Sequence, residues 1–114
     1  LEVTLDAPAT LPALPAAVEV AAYRIATEAV TNTVRHARAS VCAIRIATEP
    51  SLAMLRLEVS DDGCGLLVGR QVSGVGLTSM HERATELGGS CIVKGTPGRG
   101  THVNVLLPLG VDGR

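Results

Sequence analysis

Apolar and polar positions alternate in short runs at both ends of this chain, and between those runs they recur at helical spacing in two places. Leu1 to Leu5 alternates and reads as a short edge strand, closed by Asp6-Ala7-Pro8. Pro12 and Pro15 lead into the longest periodic stretch, and Pro15 suits the first turn of a helix because its missing N–H has no partner to lose there. The spacing predicts a helix over Ala16 to Arg35. Ala39 to Glu49 and Ser51 to Ser60 are two β-rich runs divided by Pro50, a hairpin pattern. Gly63 to Gly74 has no clear period and reads as a loop or lid. Val75 to Leu87 returns to helical spacing and stops at Gly88-Gly89, a helix-ending signal. Ser90 to Lys94 and Thr101 to Leu107 are two last strands around the turn Thr96-Pro97-Gly98-Arg99-Gly100.

The order β-α-ββ-loop-α-ββ predicts an α+β two-layer sandwich, a mixed and mostly antiparallel sheet with helices on one face. With 114 residues the chain is one domain, able to bury roughly 65% of the surface its unfolded form exposes. Hydrophobic residues make up 46%, with one Tyr and neither Phe nor Trp, so Ala, Val, Leu and Ile must build the core. A net charge of −1 argues against a general nucleic-acid or anionic-membrane surface, and any anion must be held by local groups. Cys42, Cys64 and Cys91 lack metal-type pairing and fit reduced thiols in a cytosol. Cys64 reads either as reactive beside its glycines or as a small filler in a turn. The chain contains no run of about 18 apolar residues, and it starts at Leu1 rather than Met. It reads as a cytoplasmic fragment, residues 1–114, of a longer protein, although an engineered short protein would start the same way.

The candidate chemistry lies in three glycine patterns and one helix. Asp61-Asp62-Gly63-Cys64-Gly65, Gly74-Val75-Gly76-Leu77 and Gly98-Arg99-Gly100-Thr101 stand at element boundaries, where a backbone without Cβ can approach a ligand closely. Gly74-x-Gly76 opens a helix, whose free N–H groups and positive end form an anion site. Each helical residue advances by about 100°, so Val18, Ile25 and Asn32 share the sheet-facing stripe, with Glu28 and Arg35 on one flank. Asn32 at the end of an apolar stripe needs partners. Its side-chain oxygen could coordinate Mg²⁺, a hard cation that retains waters and shares phosphate oxygens, or it could merely bond nearby backbone. Glu28 reads as a carboxylate that orients or deprotonates an attacking group, or as a surface partner of Arg24. Arg35 and His36 could touch phosphates or complement the helix dipole. Asp61, at a strand end, can accept from an exocyclic amine such as adenine N6 and would disfavour guanine; Asp62 is explained by the turn itself.

These residues resemble the ATP-binding catalytic domain of two-component sensor histidine kinases, within the gyrase/Hsp90/histidine-kinase/MutL superfamily. The run from Ala22 to Ala37 is similar to that family's N-box, Asp61-Asp62-Gly63-Cys64-Gly65 to its G1 box, and Gly74 to Arg83 to its G2 region. The wording of the N-box and of Gly76-Leu77-x-x-Met80-x-Glu82-Arg83 points to the nitrate-sensor-like subfamily. The resemblance implies a Bergerat-type sandwich. It implies that Asn32 binds Mg²⁺, that Asp61 reads adenine with Thr101 at the same end, and that Gly63, Gly65, Gly74, Gly76 and Leu77 shape the ATP pocket. The chain departs from the wider family in having no Phe, hence no Phe-bearing lid box, and in the shortness of Leu66 to Ser73.

The resulting expectation is a histidine kinase domain that binds Mg-ATP and passes the γ-phosphoryl group to a histidine outside this chain. That histidine would lie on the dimerisation and phosphoacceptor helices of the same parent, which need not itself be membrane-free, and a response regulator would act downstream. Two readings compete with it: an anti-sigma factor that phosphorylates serine on the same fold, and a nucleotide-binding module without turnover. A dinucleotide-binding domain fails, since no Gly-x-Gly-x-x-Gly joins a first strand to a first helix. Leu66 to Ser73, with Arg70 as the candidate phosphate contact, is expected to be a lid that orders on nucleotide binding.

Overall fold

The structure, a computed structural model, describes residues 1–9, 13–37, 39–49, 53–63, 75–96 and 99–109. Strand β1 (Glu2–Asp6) is followed by helix α1 (Ala16–Asn32), a π-helical turn (Thr33–Ala37), β2 (Val41–Glu49), β3 (Met54–Asp61), α2 (Val75–Glu86), β4 (Ser90–Thr96) and β5 (Gly100–Pro108). The five strands form one sheet in the order β1-β2-β3-β5-β4. Three of its pairings are antiparallel, and β1 lies parallel to β2. The predicted mixed, mostly antiparallel sandwich is the observed architecture. The expected lid, Leu66 to Ser73, lies outside the described residues.

Alternation decides which strand residues meet the helices. Leu55, Leu57 and Val59 of β3 and Val103, Val105 and Leu107 of β5 are buried and opposite one another in register. They pack against Val18, Ala21, Ile25 and Ala29 of α1 and Met80 and Ala84 of α2. Burying a side chain such as Ile25 or Leu107 stabilises the fold by roughly 1.5–3 kcal/mol. The other sheet face is polar and bonded to itself. There Arg56 donates to Glu49 at 3.3 Å and to Asn104 at 3.3 Å, and Ser60 Oγ lies 2.7 Å from His102 Nδ1.

Helix boundaries follow local chemistry. Pro15 is the N-cap of α1, with φ −56° and ψ 142°, and its carbonyl accepts the first helical bond from Glu19 N–H at 3.0 Å. The predicted helix to Arg35 ends its regular part three residues earlier, at Asn32, and widens into the π turn. At the far end of α2, Gly88 takes φ +83°, its N–H bonds to Thr85 O at 2.9 Å, and Gly89 N–H bonds to Ala84 O at 2.8 Å. These are the two bonds of a Schellman motif, which needs a left-handed residue where glycine stands.

One carboxylate pins the start of β2 to the end of β3. Asp62 Oδ1 accepts the N–H groups of Ser40 at 2.8 Å and Val41 at 2.9 Å, while Asp62 N–H reaches Val41 O at 3.3 Å. The bond from Val41, then that from Ser40, holds the Asp62 carboxyl below the ordinary aspartate range. A lowered folded-state pKa gives stability that is fully present above the unfolded value of about 3.9 and is lost as pH falls through the folded one. Replacing Asp62 by Asn is expected to flatten the acid limb of a pH-dependent unfolding curve in that window. An unchanged limb would show that these bonds do not persist in solution.

Candidate functional site

Asp61 is the last residue of β3 and falls on the helix-facing parity of Leu57 and Val59, whereas its neighbour Asp62 points back to the start of β2. Strand alternation thus sends two adjacent carboxylates to different tasks. Asp61 Oδ1 accepts the backbone N–H of Gly63 at 2.9 Å and that of Thr101 at 3.2 Å. Asp61 Oδ2 lies 3.0 Å from the hydroxyl of Thr33. Three segments distant in sequence therefore converge on one carboxylate: the end of α1, the turn after β3, and the start of β5.

Glycine is required where β5 passes Asp61. Gly100 is buried with φ +98°, and a Cβ there would collide with the Asp61 carbonyl oxygen. This close approach is what brings Thr101 N–H to the Asp61 carboxylate. Gly63 is buried beside it.

The buried stripe of α1 runs Ile25, Ala29, Thr33, each four-residue step turning by about 40°. Thr33 consequently takes the covered position, 4% exposed, and Asn32 stands half-buried at the rim. Among the described residues none hydrogen-bonds to the Asn32 amide. An amide oxygen is a ligand type that suits Mg²⁺, which accepts a single neutral oxygen when phosphate and water supply the rest. No group of three or more His, Cys, Asp or Glu side chains that could hold a metal occurs among the described residues.

Glu28 sits at the junction of the two helices. Its Oε1 accepts from Ser79 Oγ at 3.0 Å and lies 3.6 Å from Arg83 Nε. The surface pairing with Arg24 considered from the sequence is replaced by a contact with α2, because α1 and α2 pack side by side. Arg83 Nε is buried, and the ion pair to Glu28 is the contact the structure gives it. Both side chains remain about a third exposed, so solvent screens this pair and its contribution is well under 1 kcal/mol.

Arg35 is exposed on the π turn. His36 belongs to the same turn, and its side chain lies outside the described residues, as do Gly65 and Gly74. Gly76 and Leu77 fall in the first turn of α2, where no side chain is described. An open cleft of ≈ 610 Å³ along the outer side of α1 is lined by Glu19, Val20, Tyr23, Arg24, Thr27 and Glu28; it shares only Glu28 with the residues singled out above.

Sequence reasoning missed Thr33, and its signal was present: it stands four residues after Ala29 and eight after Ile25, on the buried line of the helix. Cys42, fully buried, faces Asp61 in the β2–β3 register, and its Sγ is 3.9 Å from Thr33 Oγ1. Burial pushes the Cys42 thiol up; the Thr33 bond opposes this and the Asp61 charge adds to it. Cys42 is therefore a thiol, not a thiolate, at neutral pH.

The profile of the histidine kinase-, DNA gyrase B- and HSP90-like ATPases matches residues 17–111. Sensor histidine kinase LiaS of Bacillus subtilis is 39% identical over 88 residues, 76% of this chain and 24% of LiaS. The histidine-protein kinase/phosphatase UhpB of Salmonella typhimurium is 38% identical over 96 residues, 84% of this chain and 18% of UhpB. The chain thus spans a quarter or less of the length of these two relatives. Among solved structures, the histidine kinase domain of the Erythrobacter litoralis EL346 blue-light activated kinase superposes with TM-score 0.80 at 26% identity, covering 95% of this chain and 51% of that one. Acinetobacter baumannii AdeS shares the fold, with TM-score 0.76 at 15% identity over 96% of this chain and 54% of that one. With the matched region spanning nearly every described element, the chain belongs to the family of histidine kinase-, DNA gyrase B- and HSP90-like ATPases.

Proposed function

We propose that residues 1–114 are the ATP-binding catalytic unit of a larger sensor histidine kinase, of the nitrate-sensor-like kind. The unit binds Mg-ATP and donates the γ-phosphoryl group to a histidine on separate dimerisation and phosphoacceptor helices of the same parent. The observation that carries the reading is the Asp61 carboxylate, held by two backbone N–H groups and the Thr33 hydroxyl at the end of β3. A fixed acceptor of this kind suits the amine at adenine C6 and leaves the guanine carbonyl facing negative charge.

Asn32 Oδ1 would hold Mg²⁺ at the rim of α1, and the ion would neutralise charge shared between the β- and γ-phosphates. Arg35 and His36, on the turn that follows, contact the phosphates. Gly63, Gly65, Gly74, Gly76 and Leu77 shape the pocket wall, and Thr101 closes its adenine end. Glu28, steadied by Ser79 and Arg83, orients the attacking nitrogen. Catalysis in this scheme is positioning and charge neutralisation rather than covalent chemistry by the domain itself. The names of the relatives favour a kinase over an anti-sigma factor. No helix among the described residues is long and apolar enough to cross a membrane. We place this unit on the cytoplasmic side, with a response regulator acting after it.

Titration calorimetry with Mg-ATP and Mg-GTP tests the reading. ATP is expected to bind at least about tenfold more tightly, the worth of one hydrogen bond to a charged acceptor. Equal affinities would remove Asp61 from the adenine-reading role.

A further inference from the structure

We propose that Thr33 is a positioning residue for base recognition: its hydroxyl holds Asp61 Oδ2 in the orientation in which that oxygen accepts the exocyclic amine of adenine. The inference rests on the adenine-reading role of Asp61 and adds the residue that makes that carboxylate a directed acceptor.

Thr33 is the polar residue that the fold buries among the described positions, and a buried hydroxyl must be satisfied. Its single proton has two acceptors within reach, Ala29 O at 3.1 Å and Asp61 Oδ2 at 3.0 Å. Ala29 O already accepts the backbone N–H of Thr33, so it has little need of the hydroxyl. Asp61 Oδ2 has no other hydrogen-bond donor among the described residues. A bond to an ionised acceptor is about twice as strong as one to a neutral carbonyl, and the proton therefore goes to Asp61.

A third group fixes the rotor. Cys42, a protonated thiol 3.9 Å from Thr33 Oγ1, can donate to that oxygen and cannot accept its proton as a thiolate would. Donation then runs one way, from Cys42 to Thr33 to Asp61. The second torsion of an aspartate is intrinsically broad. Here Gly63 and Thr101 grip Oδ1 and Thr33 grips Oδ2, so the carboxylate plane is set before any base arrives. A preset acceptor disfavours a base that lacks the matching donor, because the remaining lone pair of Oδ2 would be covered without a partner.

The test compares ATP with the triphosphate of purine riboside, which is ATP without the 6-amino group, by calorimetry on the 114-residue chain. In the parent protein ATP is expected to bind at least about tenfold more tightly than the analogue. Thr33→Val keeps the branched shape and deletes the hydroxyl; it is expected to shrink that preference by about three- to tenfold, and Thr33→Ser to restore it. Circular dichroism checks folding. If Thr33→Val does not fold, Thr33→Ala deletes the same hydroxyl without adding apolar bulk and supplies the same ratio. A variant lacking the hydroxyl that keeps the parent ratio overturns the positioning role and leaves Asp61 as the adenine reader. A parent protein that shows no preference overturns the adenine-reading role, and this inference with it. Loss of affinity for both nucleotides by the same factor is the signature of a purely structural Thr33 and also overturns the inference.

Discussion

Asn32→Ala is expected to lower phosphoryl transfer to a supplied phosphoacceptor domain by at least about a hundredfold, the scale on which single charge-stabilising groups act in enzymes. The variant should nevertheless fold as the parent does. Asn32 is half-buried at the last position of α1, its amide has no protein partner among the described residues, and Ala is the better helix former by a few tenths of a kcal/mol. In the proposed role the change removes a ligand oxygen from the rim of α1 and leaves the buried core untouched. Transfer assays and far-ultraviolet circular dichroism on the same preparation separate the two effects, and nucleotide binding in excess chelator adds a control that should not move. Transfer at the parent rate would show that Asn32 holds no metal ion needed for the reaction.

Gly100→Ala carries the second large effect, on affinity and stability together. Its φ of +98° is a backbone state that residues with a Cβ rarely adopt, and the added methyl would press into the Asp61 carbonyl oxygen. Strained backbone and overpacking each cost about 1–3 kcal/mol, so a loss of about 3 kcal/mol is expected in denaturant unfolding. Relief can come only by moving β5 away from Asp61, which withdraws Thr101 N–H from the carboxylate. ATP affinity should then fall more than about tenfold. Gly89→Ala is the matched control. Its Cβ would meet the Leu106 carbonyl oxygen, a comparable collision at the α2–β4 corner where none of the site residues lies. It should destabilise the fold and leave the affinity of the folded fraction unchanged. Equal losses of affinity in both variants would mean that general loosening, not the Asp61 contact, sets nucleotide binding.

Local chemistry was readable where one segment decides its own state. Gly88-Gly89 ends α2 because the left-handed cap needs glycine, and the seven-residue spacing of α1 buries Val18 and Ile25 as expected, although the next member of that series, Asn32, stops half-buried at the rim. Leu55, Leu57 and Val59 face inward by alternation alone. Contacts between distant segments were not readable. Nothing near Leu1 to Leu5 tells that β1 pairs parallel to β2, since β2 begins 35 residues after Asp6 in register terms that only the folded sheet sets, Glu2 opposite Val41 and Asp6 opposite Arg45. Glu28 has Arg24 four residues before it and Arg83 far away, and the packing of α1 on α2 chooses the distant one. Thr33 was hidden by its neighbour: Asn32 carries the more obvious chemistry, and one further step around the helix decides which of the two meets the sheet. The two aspartates differ for the same kind of reason, because their roles depend on which side of β3 each leaves.

The placement of β5 bears on how the domain comes into being during synthesis. Although it follows every other element described here, β5 sits inside the sheet, between β3 and β4, and completes the pairing of both. Closing a sheet through so distant a partner requires a long loop to form before its contacts reward it, which makes such topologies slow to assemble. Until β5 is in place, β3 is paired on its β2 side alone, β4 has no strand partner, and the carboxylate at the end of β3 lacks its Thr101 donor. The vulnerable interval for a nascent domain of this design is the one in which β4 and the open side of β3 await the strand that belongs between them.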